Sequence, residues 1–287
     1  MLYCFVSKFK IWASMIKLEH SVFALPFAYI GMLWAAQGKP GWSTFIFLTL
    51  AMVAVRSFAM TFNRIADLEY DRENHRTSNR PLVTGEISLR DAYIFLAGTG
   101  LIFILSCFML NPLCLYLAVP ALLWSAIYSY SKRYTHLCHF FLGSVLGLAP
   151  IAGWIAYDPS FALPPFLLFW GVLFWVAGFD ILYSCQDAGF DQEKSLHSIP
   201  GKYGLDTAFT LAGFCHVNAS IFILMAGAAM GAGWLYYLVW LVISVILLIE
   251  HRIISPANLQ KINVSFFTLN GLVAVLLFAG VLADLFI

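Results

Sequence analysis

Charge is what this 287-residue chain has least of: 11% of its residues are Asp, Glu, Lys or Arg, and the net charge is +1. A balance so close to zero excludes the basic footprint of a nucleic-acid-binding protein and the charged tails that recruit protein partners. The six cysteines (Cys4, Cys107, Cys114, Cys138, Cys185, Cys215) lack the paired spacing of a zinc or redox site. They read as small fillers of apolar surroundings. The segment HLCH at 136–139 offers two imidazoles and a thiol without a second half-site, so it too reads as packing. No cleavage site follows Lys8 and Lys10, so the first apolar stretch is expected to be retained as a helix. No soluble domain or low-complexity linker is visible.

What is present is apolar residue, 61% of the chain, of which 17 percentage points are aromatic, with a mean hydropathy of +0.83. That composition belongs in a lipid bilayer. Segments near 13–36, 43–63, 89–110, 113–131, 138–157, 163–185, 205–229, 233–250 and 264–286 are each long enough to cross about 30 Å of hydrocarbon. The fold expected is an all-α integral membrane protein, a single domain over 1–287 with nine transmembrane helices in one bundle. Lys8, Lys10, Lys17, Arg64, Arg72, Arg76, Arg80, Arg90, Lys132, Arg133, Lys194, Lys202, Arg252 and Lys261 fall on one side of such a bundle. Lys39 alone falls on the other, and Arg56 lies inside a span. Bases favour the cytoplasmic side, so the N-terminus is expected there and the C-terminus opposite.

The scarce charge is concentrated in NRIADLEYDRENHRTSNRPLVTG, residues 63–85, after the second span. A second polar stretch, DILYSCQDAGFDQEKSLHSIP at 180–200, follows the sixth span and therefore shares its side of the membrane. Asp67 and Asp71 are four residues apart, as are Asp187 and Asp191, and Asn63 precedes Asp67 by four. On helices continuing past the membrane, that spacing puts the oxygens in one stripe per helix, and the two stripes are expected to face each other. Like charges so placed repel, and the end of a helix is the wrong place for anions. A cation resolves the conflict, and oxygen donors without Cys or paired His specify a hard one, Mg²⁺, which takes one or two carboxylates together with substrate phosphate. Arg72, Arg76, Arg80, Lys132, Arg133 and Lys194 are then candidates for the phosphate oxygens the metal leaves uncovered. Alternatively, the bases only set topology and the acids only keep the loops wet.

These stretches resemble the first and second aspartate motifs of the UbiA-type membrane prenyltransferases, including the RTxxRPL that follows the first. YSYSKRYT at 128–135 is similar to the family's third recurrent element, with Lys132 at its basic position. Arg64 departs from the pattern, standing where many members have Asp. The resemblance implies a helical bundle around a central cavity capped by the cytoplasmic motif loops, in which Mg²⁺ holds a polyprenyl diphosphate between Asn63, Asp67, Asp71, Asp187 and Asp191. The prenyl group would pass to an electron-rich aromatic ring while the tail lies toward lipid. IKLEHSVFALPFAYIG at 16–31 resembles the quinone-synthesis branch of the family, implying a small aromatic acid acceptor, 4-hydroxybenzoate or 1,4-dihydroxy-6-naphthoate, and a place in the inner (cytoplasmic) membrane. Lys17 and His20 could touch such an acceptor or anchor the helix at the interface. Arg56, seven residues before Asn63, could bind the acceptor's carboxylate, support the diphosphate or Asp180, or snorkel. Haem, chlorophyll and homogentisate prenylation, a transporter and an Mg²⁺ channel remain the other readings at this point. The DGxxAR cluster of CDP-alcohol phosphotransferases is absent.

Overall fold

The structure, a computed structural model, describes residues 10–17, 23–256, 258–259, 261–262 and 265–287, the last stretch without the side chains of Ser265 and Phe266. The chain is helical, with no β-ladder among these residues. After α1 (10–16) come α2 (Leu25–Ala35), α3 (Trp42–Ala66), α4 (Leu68–Glu73), α5 (Pro81–Thr84), α6 (Leu89–Leu110), α7 (Pro112–Ser131) and α8 (Cys138–Tyr157). Then follow α9 (Leu163–Ser184), a 3₁₀ turn (Cys185–Asp187), α10 (Ala188–Glu193), α11 (Ile199–Tyr203), α12 (Leu205–Met230), α13 (Trp234–Ile253), a π turn (Ser265–Leu269) and α14 (Asn270–Asp284).

Eight of the described segments are long and apolar enough to span a membrane, which makes the chain a multi-pass membrane protein. The ninth expected span is divided. Lys17 ends α1 in the left-handed region (φ 50°), and α2 begins beside Pro26, whose fixed φ suits a first turn. With 11 residues, α2 covers only about half of the hydrocarbon at 1.5 Å per residue. The other spans lie within a few residues of their expected limits, because Pro112, Pro159 and Gly231 stand where apolar runs stop.

The chain forms two compact units, one built on Ile46–Tyr130 with α1 and the other on Val22–Phe45 with Ser131–Ile287. In the first, Met15 and Ile16 of α1 pack with Leu82, Ile87 and Ala92, and Trp12 stacks on Phe95. Ser88 caps α6 by accepting the Asp91 N–H while its hydroxyl donates to the Asp91 carboxylate, a reciprocal pair that marks the helix start.

In the second unit α9 is the axis, packed between α8 and α12, with α2 against α8 and α14 against α2 and α13. The α2/α8 crossing depends on glycine. A Cβ at Gly31 would overlap the Pro150 carbonyl, and one at Gly153 the Ala28 carbonyl. In lipid, where apolar surface has no water to escape, such close backbone approach supplies the packing that hydrophobic burial supplies elsewhere. A buried polar tie adds to it: Trp175 Nε1 of α9 donates to Asn270 Oδ1 (2.7 Å), and Asn270 Nδ2 donates to Glu250 Oε1 of α13 (3.0 Å). Leu101, Leu105 and Phe108 in the first unit, and Val245 and Leu248 in the second, point outward, as a lipid solvent permits.

Candidate functional site

The two aspartate stretches share a local architecture that their common spacing alone does not specify. In each, the long helix stops just short of, or tightens up to, the first aspartate, and a new six-residue helix starts after it. Asp67 joins α3 to α4 with φ −96° and ψ 9°, and Asp187 joins the 3₁₀ turn to α10 with φ −102° and ψ 3°. Both sit in the sparsely populated bridge region of backbone space. The expected straight stripes are therefore bent at their first acid. The bend removes the electrostatic conflict, since Asp67 and Asp187 become the N-cap residues of new helices and Asp71 and Asp191 fall in the first turns, where the helix dipole favours negative charge. The i to i−4 backbone bonds Asp67 N–H to Asn63 O (2.9 Å) and Asp71 N–H to Asp67 O (2.8 Å) still carry the chain through the junction.

Each second aspartate is buried and held by a base distant from it in sequence. Asp71 is 6% exposed, and Arg80 Nη1 donates to both its oxygens, at 2.7 and 2.5 Å. The sequence between them explains the reach. Asn74 Oδ1 accepts the Arg76 N–H in an Asx turn, Thr77 Oγ1 donates to the Asp71 carbonyl, and Pro81 opens α5, which Gly85 closes at φ 82°. RTxxRPL thus folds the chain back so that Arg80 meets Asp71. Asp191 is 1% exposed; Lys132 Nζ lies 2.7 Å from its Oδ1, while neither carboxylate oxygen accepts a hydrogen bond of good geometry. Burial works to lower the Lys132 pKa, but Asp191, with Asp187 beyond it, outweighs burial and raises it, so the ammonium is charged.

Asn63 Nδ2 donates to Asp67 Oδ2 (2.8 Å), and Arg64 Nη1 donates to Asn63 Oδ1 (3.1 Å). Arg64 thus has a use: it occupies the amide oxygen and leaves the amide N–H groups for Asp67. The sequence alone marks Arg64 as a departure from the family pattern and as one of the bases on one side of the bundle. Tyr128, of the third motif, lies within electrostatic reach of Arg64, Asp67 and half-buried Arg56.

Other expected residues are less gathered. Arg72 and Arg76 are exposed, Arg133 and Lys194 half-buried. Lys17 sits at the end of α1, and His20 lies outside the described residues. Asp180 is 25% exposed and accepts from His139 Nδ1 at 2.7 Å. HLCH does not converge: Cys138 Sγ donates to the His197 carbonyl, and the His136 ring lies against His197 and Tyr203. Burial, then Lys202, holds His136 below the usual imidazole pKa. Among the described residues no group of three or more His, Cys, Asp and Glu side chains forms a closed metal cage.

Residues 24–272 match the family model described as the UbiA prenyltransferase family. A 4-hydroxybenzoate octaprenyltransferase of Nitrosomonas eutropha is 28% identical over 285 residues, 98% of each chain. Among solved structures, an apo UbiA homolog from Aeropyrum pernix K1 superposes with a TM-score of 0.84 at 33% identity, covering 93% of this chain and 98% of its own. A UbiA homolog from Archaeoglobus fulgidus bound to GPP and Mg²⁺ shares the fold at 19% identity, with a TM-score of 0.73 over 96% of this chain and all of its own.

Proposed function

Because this chain belongs to the UbiA prenyltransferase family, we propose that it transfers a polyprenyl group from polyprenyl diphosphate to the ring of a small aromatic carboxylic acid, 4-hydroxybenzoate or 1,4-dihydroxy-6-naphthoate. The product would enter ubiquinone or menaquinone synthesis. The observation that carries this reading is the pair of matched junctions at Asp67 and Asp187, each followed by a buried carboxylate ion-paired to a base. Resemblance to 4-hydroxybenzoate octaprenyltransferases supports the acceptor class. Both motif loops are assigned to the cytoplasmic face of the inner membrane, from the distribution of Lys and Arg.

The donor set suits Mg²⁺. It offers hard oxygens without thiolate, and Asp191 keeps both oxygens buried and outside any hydrogen bond. Asp67, Asp71, Asp187 and Asp191 would hold the ion with the diphosphate, and an open ligand set is what a metal shared with phosphate requires. When bound, the ion supplies positive charge to the leaving diphosphate.

The chain's own residues do the rest. Asn63 and Arg64 fix the orientation of Asp67. Arg72, Arg76, Arg80, Lys132, Arg133 and Lys194 cover phosphate oxygens, where negative charge grows as the allylic C–O bond breaks and its electron pair leaves with the diphosphate. A ring carbon of the acceptor then donates its π electrons to the allylic carbon, and the proton on that ring carbon is lost. Apolar surroundings keep water from capturing the prenyl cation. Arg56, an arginine inside a span, answers to a buried anion, either the acceptor's carboxylate or the diphosphate.

The test is to incubate the purified protein with Mg²⁺, a long-chain prenyl diphosphate and each acid in turn, and to weigh the product. The expected mass is that of the acid plus the prenyl group less one hydrogen, with one diphosphate released per product. Diphosphate released without a prenylated acid from either acceptor would refute the acceptor class.

A further inference from the structure

His139 is a buried imidazole that the reaction as described leaves without a task, and both its nitrogens are committed. Nδ1 lies 2.7 Å from Asp180 Oδ2, and Nε2 faces the backbone N–H of Ile199 at 3.4 Å. An N–H can only donate, so Nε2 is the acceptor, the ring proton sits on Nδ1, and Nδ1 donates to Asp180. Ile199 opens α11, directly after the second aspartate motif, where the chain is fastened at three further points. The His197 N–H donates to the Lys132 carbonyl (2.6 Å), Cys138 Sγ donates to the His197 carbonyl (3.3 Å), and the Leu196 N–H donates to the Asp191 carbonyl (2.8 Å). The imidazole therefore bridges the segment that carries Asp191 and an acid deeper in the membrane.

Asp180 is unusual for its helix. Its chain neighbours on α9, Phe179 and Ile181, are 4% and 0% exposed, whereas the Asp180 side chain is 25% exposed. It lies on α9, seven residues before Asp187, which places it roughly 10 Å deeper at about 1.5 Å per residue. An accessible carboxylate inside a span, with one oxygen pinned, is placed to accept a proton rather than to pack.

On the acceptor chemistry proposed above, we propose that His139 is a positioning residue that aims Asp180 at the aromatic acceptor. Asp180 then takes the proton that the ring carbon gives up as the new C–C bond forms, and diphosphate departs with the electrons of the broken C–O bond. The Nδ1–H of His139 orients the carboxylate, and its Nε2 ties that orientation to the segment beside Asp191.

Two near-isosteric variants separate the two nitrogens. In His139→Asn the amide replaces Nδ1 and keeps a donor for Asp180. In His139→Gln it replaces Nε2 and keeps only the partner for Ile199. Turnover with 4-hydroxybenzoate and with 1,4-dihydroxy-6-naphthoate is compared with equilibrium binding of the prenyl diphosphate in Mg²⁺. The Asn variant should retain most of the wild-type kcat. The Gln variant should lose on the order of 100-fold, the usual contribution of a positioned proton acceptor, with prenyl diphosphate binding unmoved. Asp180→Asn should match the Gln variant, and combining the two should add little further loss. Equal losses in the Asn and Gln variants, no loss in either, or weakened diphosphate binding in the Gln variant would overturn the role of His139. Should the Gln variant not fold, a fully active Asp180→Asn would overturn it equally, and an inactive, folded one would support it. A wild-type protein that prenylates neither acid would instead overturn the acceptor reading, and this inference with it.

Discussion

Replacing Lys132 by methionine should destabilise the protein by leaving the Asp191 carboxylate buried beside nothing. The geometry sets the size. Asp191 is 1% exposed, and the Lys132 ammonium at 2.7 Å is the cation it meets. Breaking a buried pair from one side costs about 3 to 5 kcal/mol, because the partner's charge is stranded away from water. The Lys132 side chain is itself 33% exposed, so solvent already screens part of the pair, and the expected loss is nearer 2 to 3 kcal/mol. Asp191→Asn should cost less, since the amide needs no counter-charge and Lys132 can turn toward water. The double variant should recover most of the Lys132→Met deficit. Unfolding free energies in detergent for the wild type, both single variants and the double variant give the coupling directly, and a value of about 1.5 kcal/mol or more is expected. Saturating Mg²⁺ should narrow the Lys132→Met deficit, because a divalent ion at Asp191 takes over the lost neutralisation, and a chelator should restore it. Single-variant losses that add to within about 0.5 kcal/mol would show that the two side chains do not depend on each other. A deficit indifferent to Mg²⁺ would remove Asp191 from the metal-binding set.

Three further outcomes are expected. Alanine at Asp67, Asp71, Asp187 or Asp191 should lower turnover by on the order of 100-fold or more while the protein still inserts, and near-normal product formation by any two of the four would falsify the site. Arg64→Leu should free the Asn63 amide to rotate and cut turnover about 10-fold at limiting Mg²⁺, as loss of a residue that orients a ligand does; an unchanged Mg²⁺ dependence would make Arg64 a packing residue. Gly153→Leu should abolish the monodisperse peak in size-exclusion chromatography, because its Cβ already meets the Ala28 carbonyl, whereas Gly98→Leu, at a position where an added Cβ meets nothing within 4 Å, should run as wild type.

Spans were legible in the sequence wherever lipid is the solvent, because a helix that must be apolar for about 20 residues leaves an unmistakable run. The first span was not, and the reason is local. Residues 13–36 are apolar throughout enough of their length to read as one helix, yet the backbone turns left-handed at Lys17 and restarts at Pro26. Hydropathy counts residues and is blind to φ. The polar ties that fix the second unit were equally invisible. Trp175 and Asn270 stand 95 residues apart, and His139 and Asp180 41 apart, so no spacing rule brings them together.

The aspartate motifs show the same limit more sharply, since their spacing was legible while their conformation was misjudged. Spacing by four predicts a helical stripe, and the stripe predicts crowded carboxylates at the negative end of a dipole. The chain avoids this by breaking each helix at Asp67 and Asp187, with nearly the same φ and ψ in both. Neither Asp67 nor Asp187 adjoins a glycine or proline, and Gly189 falls inside α10 and not at the break, so the ordinary signals of a helix end are missing. What the sequence does contain is the conflict itself: two acids a turn apart where a helix should end. Arg80 follows Asp71 by nine residues and is fixed by Pro81 and Gly85, while Lys132 reaches Asp191 from the end of another helix. Unresolved charge in an otherwise apolar chain is thus itself a conformational signal. A helix that would have to place anions against its own dipole is expected to break at the first of them, and two unrelated stretches of this protein do so in the same way.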